Sequence, residues 1–373
     1  MISGTFFERI NEHYNYALPF VVYRKPNKSN AKVFLQTDDK LYKSIDYAES
    51  GFIFAPFNNK AGSILMPLEA SEVFQTELTS SNTISSKAET HDVINEAERE
   101  AHIKLVQKGI VEIAKKQLDK VVLSRNETVT ISNNNPISIF KQLLDKYTNA
   151  FVYCWYHPKV GLWLGATPET LIKVEDKRFS TMALAGTQEY KGTLDVTWET
   201  KEKEEQQFVT DFIVNSLSDD VENLNVTEAK TVKAANLLHI KTQITGTLKG
   251  SQTSFKKLLD KLHPTPAVCG LPKVAAKQFI LDNEVYNREF YTGFLGELNL
   301  KEKRVRNSNR RNVENNAYNS IKTVSNLFVN LRCMQLKNNE ALIYVGGGIT
   351  KDSNPEQEWQ ETVNKTKTIK GVL

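Results

Sequence analysis

The chain has 373 residues, 40% hydrophobic and 25% charged, an ordinary soluble profile able to bury one large core or two moderate ones. A net charge of +4 without a dense basic stripe argues against nucleic acid as the main partner, whereas a small anion needs only a local positive site. The start lacks a signal-peptide pattern, no apolar run approaches the roughly 18 residues of a membrane span, and Cys154, Cys269 and Cys333 form no CxxC pair, so a reduced cytoplasm without disulfides, structural zinc or membrane is expected.

In chain order, the polar stretch Thr79–Thr90 reads as a linker after an N-terminal portion. Ile94, Ala97, Ala101, Leu105 and Val106 recur at helical spacing and predict a helix up to about Leu118. VVLS, FVYCWYH, LWLGA, LIKV and FSTMALAG then read as strands. A helix is predicted over Trp198–Leu217, a strand over LLHIKTQITGTL, and helices over FKKLLDKL and VAAKQFIL. YTGFLGELNL, LFVNLRCMQL and ALIYVGG look extended, and polar Lys301–Ser320 between the first two reads as an exposed loop insertion. Strands without regular intervening helices predict an α+β protein with large, mostly antiparallel sheets.

Three segments carry candidate chemistry. In KEKEEQQFVTDFIVNSL, Phe208, Val209, Phe212, Ile213 and Leu217 form the expected buried stripe, and Glu205 falls at its edge. Taken alone, the segment reads better as a solvated charge run, and Glu204 competes with Glu205. At the C-terminus, Asn354 and Pro355 open a helix that puts Glu358, Glu361 and Lys365 on one face. That row is either a surface ion-pair ladder or part of a site. VGGGI before it lets backbone amides approach an anion, yet lacks the spacing of a nucleotide-phosphate loop. In LHPTPAVCGLP the prolines and glycine make a rigid turn. His239 shares a strand face with Lys241, Gln243 and Thr245. Periodicity supplies carboxylates and names no substrate.

Taken in order, KVVLSR (Lys120–Arg125), GATPE (Gly165–Glu169), LAGT (Leu184–Thr187), LHPTPAVCG (Leu262–Gly270), REFYTG (Arg288–Gly293), LRC (Leu331–Cys333), GGGI (Gly346–Ile349) and EWQET (Glu358–Thr362) resemble the chorismate-utilising enzyme family. The likeness runs from about residue 90 to the end. It implies two large antiparallel sheets packed together, helices outside and the active site in the cleft between them. It also implies a chorismate-binding catalytic domain over 91–373, with 1–90 completing the fold. By the same resemblance Glu205 and Glu358 would bind Mg²⁺ and Glu361 would reach it through water, as suits a hard cation with few protein ligands. Arg332 and Lys365 would meet substrate carboxylates, helped by Tyr291 and the amides around Gly347; a guanidinium fork suits that task. Gly186 and Thr187 would line the ring, with His239 near the reacting face.

The resemblance further implies water as nucleophile, because Lys120 stands where aminating relatives usually carry glutamine. Ala185 stands where aminodeoxychorismate synthases place a nucleophilic lysine, and no amidotransferase segment is fused. Lys120 would act as general base and Glu169, kept protonated, as general acid, converting chorismate reversibly to isochorismate. That product could feed menaquinone or siderophore synthesis. Salicylate formation with loss of pyruvate is the rival reaction, and a non-catalytic binding module the rival class. A cytoplasmic monomer without an amidotransferase subunit is expected.

Overall fold

The computed structural model describes residues 3–78, 95–131, 134–234, 237–249, 255–304 and 320–373. Helix α1 (Ser3–Asn15) precedes β1 (Phe20–Arg24), β2 (Asn30–Gln36), β3 (Tyr42–Ser44), β4 (Gly51–Ala55), β5 (Ser63–Pro67) and β6 (Ser71–Glu77). Helix α2 (Glu96–Ala114) leads into β7 (Lys120–Thr130). Helix α3 (Pro136–Lys146) leads into β8 (Phe151–His157), β9 (Gly161–Thr167), β10 (Thr170–Glu175) and β11 (Arg178–Glu189). Helix α4 (Thr200–Leu217) is followed by β12 (Val221–Val226), β13 (Lys230–Ala234), β14 (Leu237–Leu248), α5 (Phe255–Leu262), β15 (Gly270–Leu271) and α6 (Lys273–Asn283). The chain closes with β16 (Phe294–Arg304), β17 (Ser320–Val329), β18 (Cys333–Lys337), β19 (Glu340–Ile349) and α7 (Pro355–Lys370). Asn95, Asn135 and Asn354 cap α2, α3 and α7 by accepting from two backbone amides each, and proline opens the last two helices.

The strands form two antiparallel sheets, as an α+β fold requires. The first runs β15-β7-β19-β18-β9-β8-β1-β2-β6, and the second β12-β14-β11-β10-β17-β16-β4-β5-β3 with β13 also on β14. The N-terminal strands thus lengthen both sheets: β1, β2 and β6 the first, β3, β4 and β5 the second. Alternation along β8 explains the packing. Phe151, Tyr153 and Trp155 join Phe52, Phe54, Leu295 and Phe328 of the other sheet in an aromatic core. Val152 and Cys154 point the opposite way, against Phe6, Phe7, Phe140 and Leu143 of α1 and α3. On the second sheet's outer face, Val209, Ile213 and Leu217 of α4 meet Leu258 and Leu259 of α5. Burial on both faces is why these strands read as unbroken apolar runs rather than alternating ones. One charged cluster also ties the sheets: Glu297 on β16, 1% exposed, accepts from Tyr23 at 2.5 Å and lies 3.0 Å from Lys32 and 2.5 Å from Lys25.

Several expected boundaries shift. The helix expected up to about Leu118 ends at Ala114, and Lys116 follows in a left-handed conformation (φ 59°) that breaks the helix. LFVNLRCMQL is two strands rather than one, because the turn Asn330–Arg332 carries the chain from the second sheet to the first. YTGFLGELNL begins with a turn at Tyr291–Gly293, before β16. The expected loop Lys301–Ser320 is strand at both ends: Lys301–Arg304 finish β16 and Ser320 starts β17. Its residues 305–319, Ile94 and the expected linker Thr79–Thr90 lie outside the described residues. In α4 the buried stripe is Gln206, Val209, Thr210, Ile213 and Leu217. Phe208 and Phe212 are only partly covered, since Gln206 turns inward to donate to Thr210 and Thr242.

Candidate active site

Two crossings between the sheets build the centre of the site. Thr167–Thr170 takes the chain from β9 to β10, and Val329–Cys333 takes it back from β17 to β18. The crossings are zipped side by side: the Val329 amide donates to the Glu169 carbonyl at 3.0 Å, and the Ala166 amide to the Arg332 carbonyl at 3.1 Å. Glu169 and Arg332 therefore share one location although 163 positions apart. Arg332 takes a left-handed backbone (φ 48°) to complete its turn, strain that an arginine accepts only where its surroundings fix it.

Glu169 is 3% exposed. Burial pushes its carboxyl up from 4.5 to about 8, against the opposing pull of Lys120, so it holds its proton at neutral pH. Lys120, the first residue of β7, is fully buried and its Nζ donates to Glu205 Oε1 at 2.7 Å. Burial raises the Glu205 carboxyl, but Lys120, Lys365 and Lys201 together hold it below the usual range. β7 is kept in place by β15, where Gly270 (φ 132°) passes so close to the Lys120 carbonyl that a side chain would strike it. The glycine of the LHPTPAVCG block is therefore structural punctuation directly behind the amine.

A register shift in β11 between Ala185 and Gln188 turns Gly186 (φ 70°) and Thr187 toward the cavity. His239 Nδ1 lies 2.7 Å from the Gly186 carbonyl and must donate to it, which leaves Nε2 to accept from the Arg332 guanidinium at 2.9 Å. Burial, then Arg332, drives His239 down to about 3, so it is a neutral prop for the arginine. Tyr291, 3% exposed, stacks on Tyr344 at 5.5 Å.

Helix α7 faces the glycines at the end of β19. Glu358 is 2% exposed; its Oε1 accepts from Ser353 at 2.6 Å and Lys201 at 2.8 Å, whereas its Oε2 is buried without a partner. Burial and then Glu361 raise this carboxyl. Lys365 lies 2.6 Å from Glu361 and donates to the Gly346 carbonyl at 3.0 Å. The glycines make room: a Cβ on Gly347 would lie 3.2 Å from Glu358 Oε2, and one on Gly348 would lie 2.6 Å from Glu205 Oε1 and 3.0 Å from Lys120 Cε.

Ten of the expected residues line one cavity of about 140 Å³: Glu169, Gly186, Thr187, Glu205, His239, Tyr291, Arg332, Gly347, Glu361 and Lys365. Lys120 and Glu358 stand behind its wall, joined to Glu205 and Lys201. Glu204 is exposed while Glu205 is partly buried, which separates those two neighbours. Lys201, Glu202 and Tyr344 also line the cavity and were not picked out from sequence. Lys201 and Glu202 precede Glu205 by four and three residues, so helical spacing alone would have placed them on its face.

The acids suit a hard divalent cation of low protein coordination. Among the described residues no three acidic, histidine or cysteine side chains form a preformed metal cage. Glu358 Oε2 and Glu202 Oε2 are nevertheless buried and unpartnered, the donor type Mg²⁺ takes while drawing its remaining oxygens from water and substrate.

Comparison with known proteins agrees with this architecture. A family model described as chorismate binding enzyme matches residues 57–304, and a second of that description matches 318–371. The isochorismate synthases MenF and EntC of Escherichia coli (strain K12) are each 29% identical over 280 residues, or 72% of this chain. The chain spans 59% of the first relative's length and 66% of the second's. The solved structure of MenF, the menaquinone-specific isochorismate synthase from Escherichia coli, aligns with a TM-score of 0.75 at 22% identity, covering 95% of this chain and 88% of that one. A putative 2,3-dihydroxybenzoate-specific isochorismate synthase, DhbC from Bacillus anthracis, aligns with a TM-score of 0.75 at 21% identity over 98% and 99%; at such identity the likeness is one of fold. With the first match alone spanning well over half of the sequence and both crossings contributing to the cavity, the chain belongs to the chorismate binding enzyme family.

Proposed function

We propose that the chain is a Mg²⁺-dependent isochorismate synthase. The observation that carries this reading is the pairing, around one cavity, of a carboxyl kept protonated by burial, Glu169, with a fully buried amine, Lys120. Exchange of a ring hydroxyl for water requires an acid for the departing oxygen and a base for the arriving one.

Lys120 takes the proton of the water that attacks the ring, and Glu169 gives its proton to the departing hydroxyl. One carbon–oxygen bond forms as another of like kind breaks, so the reaction is nearly balanced and reversible. Arg332 grips a substrate carboxylate with its planar fork, steadied by neutral His239. Lys365 and the amides around Gly347 serve the other anionic end, Tyr291 assists, and the turn at Gly186 and Thr187 borders the ring. Glu205 and Glu358 would hold Mg²⁺, with Glu361 reaching it through water and Glu202 available beside them. Bound there, the ion supplies the positive charge that fixes the ring carboxylate. Ala185, on the inner strand β11, offers no amine to the ring. The strands before residue 90 complete the sheets and bring no reacting group. On this reading the protein is a cytoplasmic monomer without an amidotransferase subunit; among the described residues no helix is long and apolar enough to cross a membrane. Isochorismate is a shared starting point for menaquinone and siderophore synthesis, and either route can draw on the product.

The test is incubation with chorismate and Mg²⁺, with and without a chelator, followed by product analysis. Isochorismate that disappears with the chelator is the expected result. Salicylate plus pyruvate, or an aminated ring when ammonia is added, would replace the reading; metal-dependent binding without turnover would leave a non-catalytic module.

A further inference from the structure

Beside the catalytic cavity lies a second one whose charged lining, among the described residues, is entirely positive. It measures about 360 Å³ and meets the first at Pro168, Leu184 and Arg332. Strand alternation makes them neighbours. On β14, His239 faces the first cavity and Lys241, two residues on, the second. On β11, Gly186 borders the first, Met182 the second, and Leu184 both.

The second cavity draws Lys146 from the end of α3, Lys233 from β13, Lys241 from β14 and the shared Arg332, and none of its described lining residues is Asp or Glu. Lys233 rests 3.6 Å over the Tyr190 ring, and Lys146 5.7 Å from the Tyr147 ring. Among the described residues no carboxylate is ion-paired with Lys146, Lys241 or Arg332. The contrast with the catalytic side is sharp, since Lys120, Lys201 and Lys365 each hold a glutamate there. Cations gathered in a concave site without counter-charges repel one another and focus a positive field. Lys146 and Lys233 are exposed, Lys241 and Arg332 partly buried, so the field deepens from the mouth toward the wall shared with the catalytic cavity. Among the described residues the Arg332 guanidinium has one hydrogen-bond partner, the His239 Nε2, which leaves further donors for an anion.

We propose that this cavity is a second anion subsite, an antechamber that captures a small carboxylate dianion and hands it past Arg332 to the catalytic cavity. That the anion is chorismate rests on the function proposed above; that the cavity takes a polycarboxylate does not.

The experiment compares wild type with Lys146→Gln/Lys241→Gln and with Lys104→Gln/Lys108→Gln, which removes the same charge from exposed positions of α2. At low ionic strength the first variant should lose about tenfold in kcat/KM for chorismate, with kcat within about twofold and a flatter salt dependence, as expected when steering is removed. The α2 control should match wild type. Citrate binding without Mg²⁺, measured by calorimetry, reads the subsite independently of turnover and should weaken about tenfold in the first variant only. If wild type leaves chorismate unchanged while citrate binding still falls in that variant, the functional reading fails and the subsite stands. Equal citrate affinity in all three proteins, or an equal fall in kcat/KM in the α2 control, overturns the antechamber.

Discussion

Glu169→Gln separates two consequences of burying a carboxyl. The substitution keeps size and shape but cannot deliver a proton, so kcat should fall by about 10²–10⁴. The stability effect has the opposite sign at high pH. In the folded chain Glu169 is raised from 4.5 to about 8, so the folded state holds a proton that the unfolded state releases. A raised carboxyl leaves stability intact below the unfolded value and erodes it as pH climbs to the folded one. At about 1.4 kcal/mol per unit the full span amounts to about 5 kcal/mol, an upper limit reached above about pH 8. Glutamine never ionises and escapes the loss. Urea melts of both proteins at pH 5 and pH 9, without Mg²⁺, should show the variant gaining on wild type by about 2–5 kcal/mol between the two. Wild-type kcat should likewise decline as pH passes about 8 and the acid is lost. A stability difference equal at both pH values, or a variant with more than about a tenth of wild-type turnover, would refute the assignment of a buried, protonated acid.

Lys120→Ala should lower kcat by about 10²–10⁴ with the fold retained by circular dichroism, and near-full turnover would remove the base from the mechanism. Gly348→Ala places a Cβ 2.6 Å from Glu205 Oε1 and 3.0 Å from Lys120 Cε. Both groups must shift, and misplacement of that order costs about 10² in rate; unaltered kcat together with unaltered Mg²⁺ affinity by calorimetry would contradict it. Glu297→Gln, outside the cavity lining, leaves Lys25 and Lys32 without their buried anion and should cost about 3 kcal/mol in a urea melt at pH 7. Burial raises the Glu297 carboxyl but Lys25 and Lys32 outweigh it, leaving it below 4.5. The wild-type advantage is therefore present above about pH 4.5 and lost as pH falls through the depressed value; a difference that persists at pH 2 would show another cause.

The sequence made the elements legible wherever one physical signal ruled. Apolar runs marked β8 and β9 because both sheet faces are covered, and Asn354–Pro355 marked the start of α7 because a side-chain cap and a donor-free residue belong there. The breaks were less visible. LFVNLRCMQL looks continuous because the turn at Asn330–Arg332 uses an arginine in a left-handed conformation instead of a glycine, and no composition rule expects that. In α4, Gln206 takes an inward place by satisfying Thr210 and Thr242, so hydrophobic periodicity assigned Phe208 and Phe212 too deeply. Spacing could not link Glu169 to Arg332, because their proximity comes from pairing between distant strands. Only the ordered motif blocks brought those residues together before the structure did.

The dense acidic end of the cavity poses its own electrostatic problem, and the lysines answer it. Glu205, Glu358 and Glu361 are each held by one ammonium, from Lys120, Lys201 and Lys365, at 2.7, 2.8 and 2.6 Å. Lys201 faces all three carboxylates, since Glu358, Glu361 and Glu205 all raise its affinity for protons against the effect of burial. A divalent cation must therefore enter a site whose charge is already partly balanced. Unit charges about 4 Å apart interact by about 4 kcal/mol at intermediate dielectric, so removing one competing ammonium should count. Lys201→Gln should tighten Mg²⁺ binding by about tenfold in calorimetry without chorismate, a change of about 1.4 kcal/mol. The same variant should melt lower than wild type without metal, because Glu358 stays buried with less compensation, and should gain more on adding Mg²⁺. Affinity that is unchanged or weaker would mean that Lys201 does not stand in for the ion, and that the three carboxylates are partners of lysine rather than ligands in waiting.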